Sequence, residues 1–453
     1  MLSHRRILVY NFCQVWFLIM SNITYHRELP CLSDFDVVVL GSGPAGLCAA
    51  VSAARNGSKV ALVERYGVLG GNLTAGFVGP ILGMVSKGTM RDELVGMLGV
   101  PDNDMIGEVA VAHDIEKAKR VVADFADLDG IQVFLQTSVF DVLREGDEIK
   151  GVVVSCKDGP RVISGNIYID STGDGDVAYL SGCKVEKGRG DGLMQPATLE
   201  YTIDNVDESK AIVCIGDVDE VKFGDIPFLE YCRQCADKGE LPKNLAAVRL
   251  HRTVNPGERR VNTTQANGVD GTRTSDLFSA ELKLRSQIDI VTDFLRSHLP
   301  GYENCKVVGS GTTIGLRETR RVIGDYILTR DDVVEGRRFD DVIVHKAEFV
   351  VDIHNPAGAG QAEKKIQYCT PYDIPYRCFT PIGLRNLYTA GRCISGTHEA
   401  HASYRVMSIC MAMGQAVGLA ASMCSAENIG TRELDIKKLQ SKLESLGIDL
   451  FSN

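Results

Sequence analysis

The most constraining feature of this chain is a glycine pattern set between two apolar runs. Residues 36–64 read DVVVLGSGPAGLCAAVSAARNGSKVALVE. Asp36–Leu40 predicts a buried strand, and residues 45–56 carry small apolar side chains at helical spacing until Gly57 ends them. Lys59–Glu64 predicts a second strand. A β-α-β unit of this kind opens a parallel sheet, so the fold class is α/β with a doubly wound, Rossmann-like domain. Gly41, Gly43 and Gly46 form G-x-G-x-x-G at the strand–helix junction. Gly41 permits the tight turn, Gly43 lets the backbone approach a pyrophosphate, and Gly46 allows helix and strand to pack closely. The pyrophosphate then lies at the helix N-terminus, where free N–H groups and the helix dipole favour negative charge. Glu64 ends the second strand, where a carboxylate binds ribose hydroxyls and repels an adenosine 2′-phosphate. These residues alone leave the nucleotide open between NAD and FAD.

At 453 residues and 44% apolar composition, the chain holds enough material for more than one core. Its net charge of −10 argues against a nucleic-acid partner. The 14 cysteines are scattered, several in apolar runs (Cys48, Cys410, Cys424), as expected of reduced thiols in a cytoplasmic protein. His4, Arg5 and Arg6 precede the apolar stretch Ile7–Met20, so residues 1–33 are expected to be a leader outside the fold, with Met20 an alternative start and export the competing reading. No later stretch is expected to span a membrane.

Further along, residues 114–127 predict a helix, and 133–142, 151–156 and 161–170 predict strands. The expected organisation is a first part of the nucleotide domain at 34–185, an inserted α+β substrate domain at 186–375, a return segment at 376–430 and a C-terminal helix at 431–453. Within the return segment, 387–390 predicts a strand and 406–424 an apolar helix.

Gly46, Ala50, Gly57, Val60, Glu64 and Gly70–Gly71 resemble the extended fingerprint of glutathione-reductase-type FAD proteins. STGDGD at 171–176 resembles their second FAD motif, and LYTAGRC at 387–393 the late motif that returns the chain to the flavin. IGLRETRR at 314–321 and HASYRVM at 401–407 resemble the FAD-dependent oxidoreductase family, whose better-known relatives are the fumarate reductase flavoproteins and the tRNA-modifying flavoprotein. The resemblance covers about residues 30–425. It implies FAD as the cofactor. It places Gly41, Gly43 and Gly46 on the pyrophosphate and Glu64 on the adenosine ribose, with Arg65 in the same cofactor set. Gly70, Gly71 and Asn72 would pass beside the diphosphate and ribityl chain, and Val139 would meet adenine through its backbone. Thr172 and Gly173 would close over the nucleotide, and Gly391 and Arg392 would reach the ribityl-phosphate side. Many relatives carry an acid where this chain has Arg392, and an arginine pairs with phosphate instead.

Other signals compete. GSGTTIG at 309–315 imitates a second dinucleotide loop, but its spacing is G-x-G-x-x-x-G and charged residues follow, so a substrate-domain or flavin-facing segment is expected. Cys232 and Cys235 form C-x-x-C within an apparent helix, expected to be structural rather than a redox pair or a metal site. His398, His401 and Arg405 follow the late motif, which on the resemblance sets them near the flavin ring. Histidine can shuttle a proton and arginine can grip a carboxylate, whereas the competing reading gives them to FAD phosphate or a helix cap. Arg317, Arg320 and Arg321 are expected on a solvated helix face, with Arg317 as a substrate contact in the sharper reading. Asn72 and Thr74 are expected to face flavin N5. No metal is expected.

The function these features imply is hydride transfer between flavin and a small-molecule organic substrate. A flavin-binding electron-transfer subunit or scaffold is the alternative, and a tRNA-modifying flavoprotein the lesser one. The redox partner, NAD(P)H or another, is left open, and a homo-oligomer is compatible with the sequence.

Overall fold

The computed structural model describes residues 24–98, 110–213, 221–360, 362 and 367–452. Most of the expected leader, including Met20, lies outside these residues. Cys31–Ser33 already belong to the first strand.

The apolar run and its glycine turn fold as expected. Strand β1 (Cys31–Leu40) runs into helix α1 (Pro44–Arg55) and then β2 (Val60–Val63). Helix α2 (Ile115–Ala126) precedes β3 (Ile131–Phe134), followed by β4 (Ser138–Glu145), β5 (Glu148–Cys156) and β6 (Gly159–Asp170). The sheet order is β3-β2-β1-β6, all parallel. Val37–Leu40 pair with Val60–Val63 on one side and Ile167–Asp170 on the other, and all four are fully buried. A strand covered on both faces needs such an unbroken apolar run. The antiparallel hairpin β4–β5 flanks the start of β6.

A second, antiparallel sheet follows, ordered β8 (Leu250–Arg252), β9 (Arg259–Val261), β7 (Tyr201–Asp204) and β10 (Lys306–Ser310). Helix α3 (Thr274–His298) packs on it through Leu284, Val291 and Leu295. This second core gathers buried residues from Ala197 to Ile314 only. The inserted domain is therefore shorter than the expected 186–375. Ile343, Val344, Tyr372 and Ile374, from the strand pair Val342–Ala347 and Tyr372–Pro375, pack into the first core instead. Gly309 and Ser310 pair with Thr202 and Tyr201, so the glycine run at 309–315 begins as a cap strand and not as the turn of a second β-α-β unit. Cys232 and Cys235 lie on a helix, Phe228–Asp237, and both are buried in the second core.

The return segment closes the first domain. Strand β11 (Leu387–Thr389) adds parallel to the end of β6. Helices α4 (His398–Tyr404), α5 (Met407–Glu427) and α6 (Ile436–Ser445) follow. Helix α5 is long and apolar enough to cross a membrane by length and composition, contrary to the sequence expectation, but 94% of its apolar window is buried inside the protein. It is the central helix of the core. It lies against α1 through glycines: a Cβ at Gly414 would fall 1.9 Å from the Ala45 carbonyl oxygen, and one at Gly418 2.2 Å from that of Ala49.

Candidate active site

The glycine turn, the end of β2, the start of β4, the 171–176 turn and the start of the return segment surround one elongated cleft. Three glycines shape its floor. Gly41 has φ +96°, and a Cβ there would stand 2.5 Å from the Ser171 carbonyl oxygen. Gly46 faces inward, where a Cβ would meet the Gly41 carbonyl oxygen at 1.8 Å. Gly43 lines the cleft, and a Cβ on it would meet nothing within 4 Å. The space above Gly43 is thus the space a ligand would fill. Pro44 occupies the first turn of α1, and no acid stands in that turn to compete with an anion. Gly391, at φ +82°, approaches the same helix end, with its Cβ position 3.0 Å from the Ala45 Cβ.

Glu64 is buried at the end of β2. One carboxylate oxygen accepts from the Ser42 N–H (2.9 Å) and hydroxyl (2.6 Å), and the other from the Tyr66 N–H (2.8 Å). These bonds fix the carboxylate at the rim where ribose hydroxyls would reach it. Thr137, Ser138 and Val139 continue that wall. Across the cleft, Asp174 accepts from Arg392 (2.7 Å) and from the Thr319 hydroxyl (2.8 Å), with Arg65 at 3.7 Å. Burial pushes Asp174 up, but the Arg392 and Arg65 guanidinium groups outweigh it and hold the carboxyl below its usual range. The Arg392 guanidinium lies over Gly173, 2.8 Å from where a Cβ would sit. Thr172 donates to Asp170 (2.7 Å), itself buried, and burial pushes Asp170 up to about 6.

At its other end the cleft reaches the cap. Thr313, Ile314 and Leu316 line it, together with Arg405, Met407 and Cys410 from the α4–α5 junction. Arg405 donates to Asp352 (3.0 Å), and the His354 imidazole lies 3.3 Å from the same carboxylate. Burial pushes His354 down to about 4.

A model of the FAD dependent oxidoreductase family matches residues 36–443. The chain belongs to that family. Two relatives are thiamine thiazole synthases. That of Pyrococcus horikoshii is 27% identical over 163 residues, covering 34% of this chain and 62% of that protein. That of Methanococcus maripaludis is 33% identical over 150 residues, covering 31% of this chain and 56% of that protein. The chain thus spans less than two thirds of the length of these relatives. Among solved structures, a geranylgeranyl bacteriochlorophyll reductase-like protein from Thermoplasma acidophilum aligns over 92% of this chain and 84% of its own, at 12% identity and a TM-score of 0.48. A p-nitrophenol 4-monooxygenase from Pseudomonas putida aligns over 91% and 84%, at 10% identity and a TM-score of 0.47.

The cofactor of this family is FAD, and the cleft fits that group: an open cradle at Gly43, a bare helix N-terminus and a carboxylate at the end of β2. Of the site residues expected from the sequence, Gly41, Gly43, Glu64, Arg65, Gly71, Asn72, Val139, Thr172, Gly173, Gly391, Arg392 and Arg405 line this cleft. Gly46 and Gly70 stand behind it; Gly70, at φ +101°, donates to the Ser42 carbonyl (3.0 Å) and shapes the turn. Thr74 does not face the cleft. Its hydroxyl is turned to the Leu69 carbonyl and is buried. His398 and His401 also stand behind the wall. His398 Nδ1 meets Glu318 at 2.9 Å, and His401 is fully buried, with burial and the Arg321 charge holding it well below its usual range. Arg320 and Arg321 are not on a solvated helix face. Arg320–Val322 is a strand paired with Val185–Lys187, and Arg321 is buried against Glu318 and the Gly188 and Gly396 carbonyls. Arg317 lies at the cap, bonded to the Pro196 carbonyl (2.8 Å).

The sequence reading missed Asp174 as the partner of Arg392. It also missed the polar residues of the cap strands, Glu200, Arg249, His251 and Arg260. A charged residue set just before an apolar strand, as Glu200 is in PATLEYTI, is the one local signal that could have singled them out.

Proposed function

We propose that this enzyme moves a hydride between the flavin and a small organic molecule held between the FAD domain and the cap sheet. The observation that carries the reading is the continuity of the cleft, from the Gly41–Gly43 turn to Arg405 and the Thr313–Leu316 segment of the cap. Ligand pockets favour such domain junctions. FAD supplies the two-electron chemistry when bound.

The chain's own residues do the rest. The backbone at Gly41 and Gly43 and the N-terminus of α1 hold the pyrophosphate. Glu64 accepts from the adenosine ribose, and Val139 flanks the adenine. Gly71, Asn72, Thr172 and Gly391 border the path towards the ring. Arg392 is anchored by Asp174, so its remaining N–H groups are set in place to meet the ribityl-phosphate side. Arg405 is held by Asp352 at the cap end and orients the substrate there. Met407 and Cys410 keep that end apolar and dry.

The test is the visible spectrum of the purified protein, with the cofactor released by heat and identified by mass. We expect FAD, bleached anaerobically when the substrate is added. A protein that stays colourless after reconstitution with FAD would refute the reading. A flavin reduced only by a partner protein would point to electron transfer instead.

A further inference from the structure

Cap strands β8 and β9 and the residues just before β7 turn polar side chains inward. His251 and Arg260 sit opposite one another across β8 and β9, and Thr202 pairs with Arg260 across β7. Arg249, Arg260, His251 and Glu200 are all buried, at 6%, 2%, 6% and 3% exposure. Interior charges ordinarily come paired, because an uncompensated buried ion costs several kcal/mol, roughly. Arg317 donates to the Pro196 carbonyl (2.8 Å) and the Asn262 side-chain oxygen (3.4 Å), both neutral. Arg260 donates to the Thr202 hydroxyl, while its Nε has no partner. Arg405 uses Nη2 on Asp352, and its Nε has none either. Neither ring nitrogen of His251, nor the amide nitrogen of Gln195, has a partner. No carboxylate among the described residues forms an ion pair with Arg317 or Arg260. Glu200, whose charge acts on both Arg260 and Arg317, spends one oxygen on the Gly79 N–H (2.9 Å), and Asp352, which also acts on Arg317, is bonded to Arg405 (3.0 Å).

We propose that the substrate is a carboxylic acid, its carboxylate gripped by Arg317, Arg260 and Arg405 where the cap sheet meets the cleft. The assignment rests on the hydride-transfer reading for the word substrate, and on the arginine cluster alone for the acid. A carboxylate supplies what this cluster lacks: two acceptor oxygens in a plane that matches the guanidinium fork, and a negative charge among crowded cations. That crowding shows in Arg317, which burial first and the Arg405 charge second push down to about 9. An uncharged alcohol or amine would leave the cations unmatched, and a cationic substrate would be repelled.

The experiment titrates the full-length holoprotein with acetate, succinate and citrate, with acetamide and succinamide as uncharged counterparts, and with inorganic phosphate. Binding is read by calorimetry and by perturbation of the flavin spectrum. We expect at least one acid to bind saturably while its amide does not. Arg317→Met and Arg260→Met should each weaken that binding by about 10- to 100-fold, the value of losing one charged hydrogen bond. Flavin content should be unchanged in both. Arg317→Lys, which keeps the charge and loses the fork, should fall between parent and Arg317→Met and serves if a methionine variant fails to fold. The proposal is overturned if no acid binds, if acid and amide bind alike, if phosphate alone binds, or if the arginine variants bind as the parent does. If the protein takes up no flavin, the hydride reading falls. Calorimetry on the flavin-free chain then still decides the carboxylate site, by the same contrast of acid against amide and parent against Arg317→Met.

Discussion

Two glycines three residues apart make opposite demands, and substitution separates them. At Gly43 a side chain has room in the protein but stands in the cleft where, on the proposed reading, the pyrophosphate approaches. Gly43→Val should therefore fold and melt near the parent temperature in the FAD-free state, yet retain no FAD. A normal flavin-to-protein ratio would remove Gly43 from the cradle. At Gly46 the clash is with the protein itself, 1.8 Å from the Gly41 carbonyl oxygen. Gly46→Ala should lower stability by about 1–3 kcal/mol or more, the usual range for overpacking, and a thermal melt reads it without any cofactor. The close packing at Gly46 was legible in the sequence, because the glycine pattern depends on neighbours a few residues away. The partner of Arg392 was not. Asp174 is 218 residues distant, and only the pairing of β11 beside β6 brings the two together. His398 and His401 show the same limit from the other side. They stand within seven residues of Arg405, yet the turns of α4 direct their rings into the protein while Arg405 reaches the cleft.

At the scale of elements, the crossing of α1 and α5 does two things. It fills the core with backbone-to-backbone contact at Gly414 and Gly418, and it fixes the N-terminus of α1 beside Gly391, where the cleft begins. Gly414→Ala sets two effects against each other. Alanine favours the helix by about 1 kcal/mol, but its Cβ would lie 1.9 Å from the Ala45 carbonyl oxygen, a backbone atom with little freedom to give way. The clash should win. We expect a lower melting temperature and faster loss of FAD on dilution, since the helix that must move carries the cradle. A higher melting temperature would mean that the helices separate freely and that the crossing does not position the site. The sequence marked α5 as an apolar helix, and the core is where its all-round apolar surface lies. It did not mark the end of the inserted domain. The strands Val342–Ala347 and Tyr372–Pro375 are short and set among charged loops, and which core they join depends on contacts with α5 that no local pattern reveals.

For the whole molecule, the buried titratable groups set how stability follows pH. Burial pushes His113, His251 and His354 from 6.5 down to about 4, and His401 well below its usual range. Unfolded, these four side chains take up protons as pH falls through 6.5; folded, His113, His251 and His354 do not until about 4, and His401 not until well below its usual range. Their contribution to stability is therefore complete above pH 6.5 and is lost as pH falls from there to 4. The two carboxyls that burial raises furthest oppose them, with Asp176 raised in the same direction. Burial raises Glu200 from 4.5 to about 7 and Asp170 from 3.8 to about 6, so the folded state takes up protons first and gains stability as pH drops through these values. Four protons against at most three leave a net loss on acidification, at about 1.4 kcal/mol per pH unit for each uncompensated proton. Urea midpoints of the holoprotein should thus fall between pH 6.5 and 4.5, and flat or rising midpoints would contradict the balance. Glu200→Gln isolates one arm. Glutamine still accepts the Gly79 N–H but never ionises, so above pH 7 the variant should be more stable than the parent. The gap should nearly close as pH falls to 4.5, where the parent's Glu200 is protonated in the folded state and half protonated in the unfolded one. A gap that persists at pH 4.5 would show that the substitution acts through packing and not through the buried charge.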